Sequence, residues 1–368
     1  MNSSDLIPGQ EIPKLVLYIK NACIPTWSLI IAFGLVGNVL TVALLSSPNL
    51  RRHSTSVYLR WLAVVDILYL LCSLTVNLFS FITVFPDSIR DKASILCLGL
   101  PFLHYTLSYL SVWLLVSVTV DRMIWVVLPF HAKKICNHKN AFIVAVSLVL
   151  VFIAIDSHFF FTLKFDFKSS NSTKDPTNTC VTDTFTQDAF PYIDLVILLI
   201  LPLIFMVICN GAIIFKLRKL KKIRQTRLQS PGDNLKVLEP GQSIKSKKQK
   251  SMGSSSLTAM LLSINIFFVA SITPLLVYDI VYFAILPKIR AKENAEMIYQ
   301  ILFAVEQVVY TLWYLNFSAH FLLYCMSGPR FRNEAIKLFS CKGICAQEAP
   351  YEAVTEIMTR RMSSHYRH

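Results

Sequence analysis

The chain of 368 residues is 54% hydrophobic, carries a formal net charge of +14 and has a mean hydropathy of +0.53. A soluble protein of this length could not cover so much apolar surface with only 16% charged residues, so composition excludes that class and points to a membrane protein. The basic excess comes without a nucleic-acid-binding motif, and no metal-ligand spacing, nucleophile elbow or phosphate loop speaks for an enzyme.

A bilayer core of roughly 30 Å takes about 20 apolar residues per helix. Seven such stretches follow one another: Cys23 to Leu45, Tyr58 to Phe81, Leu98 to Leu128, Ala141 to Leu163, Phe190 to Leu217, Leu257 to Leu286 and Ile298 to Met326. An odd number of crossings puts the two ends of the chain on opposite faces. Only ten of the 36 Lys and Arg then fall on the amino-terminal side, which the positive-inside rule assigns to the exterior. No signal peptide is visible before Cys23, so the first span is expected to act as its own anchor. The predicted organisation is an outer tail (1–22), a membrane domain (23–326) with a long inner loop (218–256), an amphipathic segment with a Cys pair (327–345) and an inner tail (346–368).

In chain order, Asn2-Ser3-Ser4 in the tail and Asn171-Ser172-Thr173 before the fifth span are acceptor patterns for N-glycosylation. The first span contains Gly37-Asn38-Val39 and the second Leu62-Ala63-Val64-Val65-Asp66. An intramembrane Asn commonly bonds a neighbouring helix, whereas an intramembrane Asp is costly enough to suggest a function. The third span begins beside Cys97 and closes on Asp121-Arg122-Met123, shortly before Leu128-Pro129-Phe130. Cys97 and Arg122 are then about 37 Å apart along a helix, the length of a tilted crossing. Each charge at that depth costs roughly 2.5 to 3.5 kcal/mol on an isolated helix, with snorkelling to the interface as the plainer alternative.

Pro202 in the fifth span and Pro274 in the sixth each remove one backbone hydrogen bond and make a bend point. Between them, Lys216 to Lys250 carries 12 Lys and Arg against Asp233 and Glu239. Its middle reads as a solvated linker; its flanks, Lys216 to Arg227 and Lys245 to Lys250, extend the two helices inward. The seventh span ends Leu322-Leu323-Tyr324-Cys325. Beyond it, Phe331, Ala335, Ile336 and Phe339 share one face of a short interfacial helix. Cys341 and Cys345 follow, placed for palmitoylation, with unmodified thiols as the alternative. Of the nine cysteines, only Cys23, Cys97 and Cys180 can meet an oxidising exterior.

Asn38, Asp66, Asp121-Arg122, Pro202, Pro274 and Tyr324, at these separations, resemble the pattern of rhodopsin-like (class A) G-protein-coupled receptors. The resemblance runs from Asn38 to Phe339 and implies an all-α membrane protein, a seven-transmembrane helix bundle with a short amphipathic eighth helix. It also implies a multi-pass plasma-membrane location, an external amino terminus and coupling to a heterotrimeric G protein. Asp121, Arg122, Pro202, Pro274 and Tyr324 would serve activation. A disulfide would join Cys97 to Cys180, and Asp66, Ser111 and Asn316 would line a sodium pocket, the one cofactor in prospect. Thr355, Thr359, Ser363 and Ser364 offer sites for receptor kinases, with arrestin as a further partner and lipids around the bundle. Several signatures are altered. Met123 ends the Asp-Arg-Tyr motif, Ser271-Ile272-Thr273-Pro274 lacks the family's Trp, the fourth span has no Trp, and His320-Phe321-Leu322-Leu323-Tyr324 loses both Asn and Pro. The lost proline predicts a straighter seventh helix, and His320 puts sodium binding there in question.

The resemblance turns Asn77, His104, Tyr105, Ser108, Asp194, Asp279, Glu306, Tyr310 and Tyr314 toward an external ligand cavity. His104, where amine receptors have Asp, speaks against an amine, and a seventh span without Lys rules out a retinal Schiff base. The acids admit two readings: internal pairing with His104 or external Lys residues, or capture of a cationic ligand group such as a guanidinium. Pro129-Phe130-His131-Ala132-Lys133-Lys134-Ile135-Cys136 and the stretch from Asn316 to Cys325 resemble FMRFamide-type invertebrate neuropeptide receptors, which implies an Arg-Phe-amide peptide. A small-molecule chemosensory receptor is the alternative within this fold. A seven-helix transporter is the alternative outside it, though no inverted repeat supports it.

Overall fold

The computed structural model describes residues 8–51, 53–81, 87–166, 179–229, 244–289 and 295–340. Seven helices among them are long and apolar enough to cross a membrane. The first three are α1 (Pro8–Leu45), α2 (Ser54–Phe81) and α3 (Asp87–Val127), followed by the short α4 (Pro129–Ile135), the fourth crossing α5 (His138–Asp156) and a turn of helix, α6 (Phe159–Thr162). The fifth crossing begins in α7 (Phe190–Asp194) and continues through α8 (Leu201–Gln229), and the sixth is α9 (Ile244–Ile289). The seventh consists of α10 (Ala295–Ser318) and α11 (His320–Ser327), and α12 (Pro329–Phe339) follows. Helices satisfy every backbone group within the segment, which hydrocarbon demands. Their outward faces carry exposed apolar side chains such as Leu29, Val36, Ile208 and Phe215.

Several boundaries reach beyond the apolar runs. Helices α8 and α9 continue into the flanks of the basic loop, as their charge-rich sequences predict. One departure from an all-helical chain is an antiparallel pair of strands, β1 (Leu163–Asp166) and β2 (Thr179–Thr182), with Phe165 opposite Cys180. The fifth crossing widens to π-helical geometry at Leu195–Ile200, just before Pro202. Proline cannot donate to the preceding turn, and the Trp113 indole N–H of α3 donates to the Ile197 carbonyl in the widened stretch at 3.0 Å.

The seventh crossing has one local feature that its sequence does not announce. Without proline a straighter helix is expected; helical hydrogen bonding lapses at the single residue Ala319, between Ser318 and His320, and resumes at once, with Leu323 N donating to the Ala319 carbonyl at 3.0 Å. The cause lies in its neighbours. The Asn38 side-chain amide of α1 donates to the Phe317 carbonyl at 2.8 Å, and His320 is drawn toward Asp66 of α2, with Nδ1 and Oδ2 2.8 Å apart. Helix α1 can come this close because Gly34 and Gly37 face the interruption. A Cβ on Gly34 would collide with the Ser318 side chain, and one on Gly37 would meet Phe321 at 3.0 Å. Small residues permit such approach between membrane helices.

Candidate functional site

Three polar layers run through the bundle. At the inner end, Asp121 and Arg122 are both buried. The carboxylate of Asp121 accepts from Ser54 Oγ at 2.9 Å and from Thr55 Oγ1 at 2.7 Å. Arg122 Nη2 donates to the same Thr55 oxygen, and its Nε stands 3.8 Å from Asp121 Oδ2. The first turn of α2 therefore clamps both charges. Between Ile244 and Met260, the inner part of α9 contains no Asp or Glu, so the sixth helix offers Arg122 no acidic partner there. Cys136 lies beside the clamp, its Sγ 3.8 Å from the Asp121 carbonyl oxygen. Burial and then the Asp121 carboxylate push this thiol up to about 12, so it remains protonated at neutral pH.

The middle layer centres on Asp66, which is fully buried. Ser111 Oγ donates to Oδ1 at 2.5 Å, while His320 Nδ1 occupies the other oxygen at 2.8 Å. Asn316, expected beside Asp66, instead accepts from Ser271 Oγ at 2.7 Å, and its amide nitrogen has no hydrogen-bond partner. Of the grouping Asp66, Ser111 and Asn316, the first two are hydrogen-bonded to each other, and His320 is the further partner of the carboxylate. A hard cation wants oxygen ligands, but here both carboxylate oxygens are committed and one faces a ring nitrogen. The residues do not fit a sodium ion. Further links join α3 to α9 through Thr119 and Asn265 at 3.1 Å, α9 to α8 through Asn265 and Asn210 at 3.0 Å, and α9 to α11 through Ser263 and Ser327 at 2.9 Å. Pro202 and Pro274 lie in α8 and α9, near these links in sequence. Tyr324 is buried against Phe331 of α12, their rings 5.3 Å apart.

The outer layer is acidic and aromatic. Asp194 Oδ1 accepts from Tyr109 OH at 2.7 Å. Asp156 Oδ2 accepts from Thr106 Oγ1 at 2.8 Å, while its buried Oδ1 has no partner. Asp156, Asp194 and Asp279 all act electrostatically on Tyr105, and Glu306 and Asp279 both act on Tyr310. Four carboxylates from four helices thus share one field. Among the described residues none of the four makes an ion pair. Pairing with His104 does not occur: its Nε2 is 3.5 Å from Tyr69 OH and its buried Nδ1 has no partner. Tyr105 stacks near Phe159 at 5.1 Å and meets Phe190 edge-on at 5.2 Å. Ser108 is buried, and Tyr314 packs edge-on against Trp27 of the first helix at 5.5 Å. Beneath this layer Trp313 donates to Tyr69 OH at 2.8 Å, and Tyr69 stacks on Phe317 at 3.9 Å.

Residues that the sequence reading passed over carry much of this arrangement. Asp156 was visible as an acid within an apolar run, the same signal as Asp66. Ser54 and Thr55 gave none, because ordinary hydroxyl residues acquire a role only when the second helix meets the third. The side chains of Asn77, Cys97, Cys180 and the external Lys residues, together with Asn2, Asn171, Cys341 and Cys345, lie outside what the structure describes.

Seven crossings, a clamped Asp-Arg pair at the inner end and a layer of acids and aromatic rings at the outer end define a heptahelical membrane receptor. Residues 37–337 match the family described as "7 transmembrane receptor (rhodopsin family)". The chain belongs to that family, and is a receptor rather than an enzyme. It is similar to lysophosphatidic acid receptor 6 of Gallus gallus, 24% identical over 55% of this chain and 65% of that receptor. It is also similar to the galanin-like G-protein coupled receptor npr-9 of Caenorhabditis elegans, 29% identical over 36% of this chain and 30% of that one. Galanin receptor type 2 of Mus musculus is 26% identical over 33% of this chain and 32% of its own. The matched stretches thus span from about a third to just under two thirds of these relatives' lengths.

Proposed function

We propose that the protein is a plasma-membrane receptor with an external amino terminus that binds a cationic peptide, of the Arg-Phe-amide type, and activates a heterotrimeric G protein. The observation that carries this reading is the outer acidic layer. Asp156, Asp194, Asp279 and Glu306 have no cation beside them among the described residues, although uncompensated carboxylates in an apolar setting cost several kcal/mol. A ligand guanidinium would supply the missing charge, and Tyr105, Phe159 and Phe190 would receive an aromatic neighbour. Of the three relatives described above, two are named for galanin and one for lysophosphatidic acid. An anionic lipid would be repelled by this layer, which favours the peptide side. At the inner end, G-protein docking would require Arg122 to leave the Ser54 and Thr55 clamp. Strand β2, which carries Cys180, pairs with β1, and β1 in turn packs on α3, the helix that carries Cys97; this supports the disulfide. A small cationic odorant would satisfy the same acids but not an extended aromatic wall.

The test compares an arginine-bearing amidated peptide with its citrulline analogue on the wild type and on Asp194→Asn, Asp279→Asn and Glu306→Gln. A charge-assisted hydrogen bond is worth about 1.5 to 3 kcal/mol, or roughly ten- to a hundred-fold in potency. The loss should appear with the arginine peptide and be much smaller with citrulline. Equal losses for both, or none in any variant, would refute the cationic ligand.

A further inference from the structure

Arg60, His138 and Lys139 line one groove on the outside of the bundle, between α1, α2 and α5. Its volume is about 860 Å³, and its other walls are Val42, Ser46, Val57, Val64, Ile143 and the pair Trp61 and Phe142. The last two rings lie 6.0 Å apart. All three helices present the ends that lie on the Arg122 side of the bundle, so the cations stand at the rim and the apolar walls run toward the bilayer centre. Val64, Phe142 and Ile143 are exposed, and on a membrane-crossing surface exposed means facing lipid. The Arg60 Nε donates to the Ser56 carbonyl at 3.1 Å, which tethers the guanidinium at the groove. No Asp or Glu lines it, and neither Arg60 nor Lys139 forms an ion pair among the described residues. The amino-terminal turn of α5 is capped by Asn137, whose side chain accepts from Asn140 N at 2.8 Å, so attraction for an anion comes from the side chains rather than from open backbone.

From this complementarity we infer that the groove is a binding site for an anionic glycerophospholipid of the inner leaflet. Its phosphate headgroup would lie between Arg60 and Lys139, with His138 at the rim, and an acyl chain would run over Val57, Trp61, Val64 and Phe142. The leaflet rests on the orientation proposed above; the site does not. Two features separate this from general attraction of a basic protein to an acidic surface. The cations are tied to a walled groove, and other cations on the same face, Lys133 and Lys134 on α4, lie outside it.

The experiment is native mass spectrometry of the full-length receptor in detergent with added phosphatidylserine, phosphatidylinositol bisphosphate, phosphatidylcholine or cholesterol. Three receptors are compared: the wild type, Arg60→Gln/Lys139→Gln, and the charge-matched control Lys133→Gln/Lys134→Gln. The wild type and the control should retain the two anionic lipids in preference to phosphatidylcholine. The groove variant should bind them about thirty-fold more weakly, the loss expected for two cations near a membrane surface. Ile143→Trp, which narrows the walls and leaves every charge, should lower retention of all diacyl lipids and guards against misfolding of the Arg60 variant. Equal losses in both double variants would mean diffuse surface charge and overturn the site. Equal retention of phosphatidylserine and phosphatidylcholine, or retention of cholesterol alone, would overturn it as well.

Discussion

Thr55 is the residue whose removal speaks most directly to how this receptor is held at rest. Its hydroxyl donates to Asp121 Oδ2 at 2.7 Å and receives a hydrogen bond from Arg122. Thr55→Val keeps the shape of the side chain and removes both contacts. A hydrogen bond to a charged group contributes about 1.5 to 3 kcal/mol; on the proposal that a docking G protein draws Arg122 out of this clamp, the equilibrium should move roughly ten- to a hundred-fold toward an open inner face. An active population of about 1% without ligand, typical of a minor state, would rise to between roughly a tenth and a half. The assay is ligand-free nucleotide exchange on a purified G protein by the receptor in nanodiscs, normalised to folded receptor. Ser54→Ala, which removes one contact from Asp121 and none from Arg122, should give a smaller rise. Unchanged basal exchange in Thr55→Val, with the ligand response intact, would show that the clamp does not restrain activation.

With His320 beside Asp66, agonist affinity of the wild type should not change when sodium is replaced by N-methylglucamine. His320→Asn should create a several-fold sodium dependence by freeing Asp66 Oδ2, and a sodium-sensitive wild type would refute this. Cys97 and Cys180 should appear as one cross-linked peptide in non-reducing digests, whereas two alkylatable thiols on the cell surface would defeat the bridge.

What the sequence made legible were the expensive features. Seven apolar runs, Asp66 and the Asp121-Arg122 pair each cost enough in a membrane to be read without a structure, and the positions of Pro202 and Pro274 needed only the chemistry of the peptide bond. The hidden features were relations. His320 could be seen to stand where another residue was expected, but not that its ring would reach Asp66 and leave Asn316 to Ser271. Asp156 was readable by the same rule as Asp66. Its unpartnered oxygen was not, because that depends on which helix turns toward it. The paired strands around Cys180 escaped because four-residue strands leave too short a pattern to separate from loop.

The interruption of the seventh helix at Ala319 has a wider meaning. A proline writes a kink into the covalent chain, where it persists whatever surrounds it. This kink is borrowed: Asn38 holds a carbonyl on one side, Asp66 draws an imidazole on the other, and Gly34 and Gly37 leave room for it. Such a bend exists only while the first two helices stay seated against the seventh. The contacts that accompany it belong to the first two helices as much as to the seventh. A joint of this kind is tuned by residues on other helices, and changes far from the seventh span can stiffen or loosen it without altering a single residue within it.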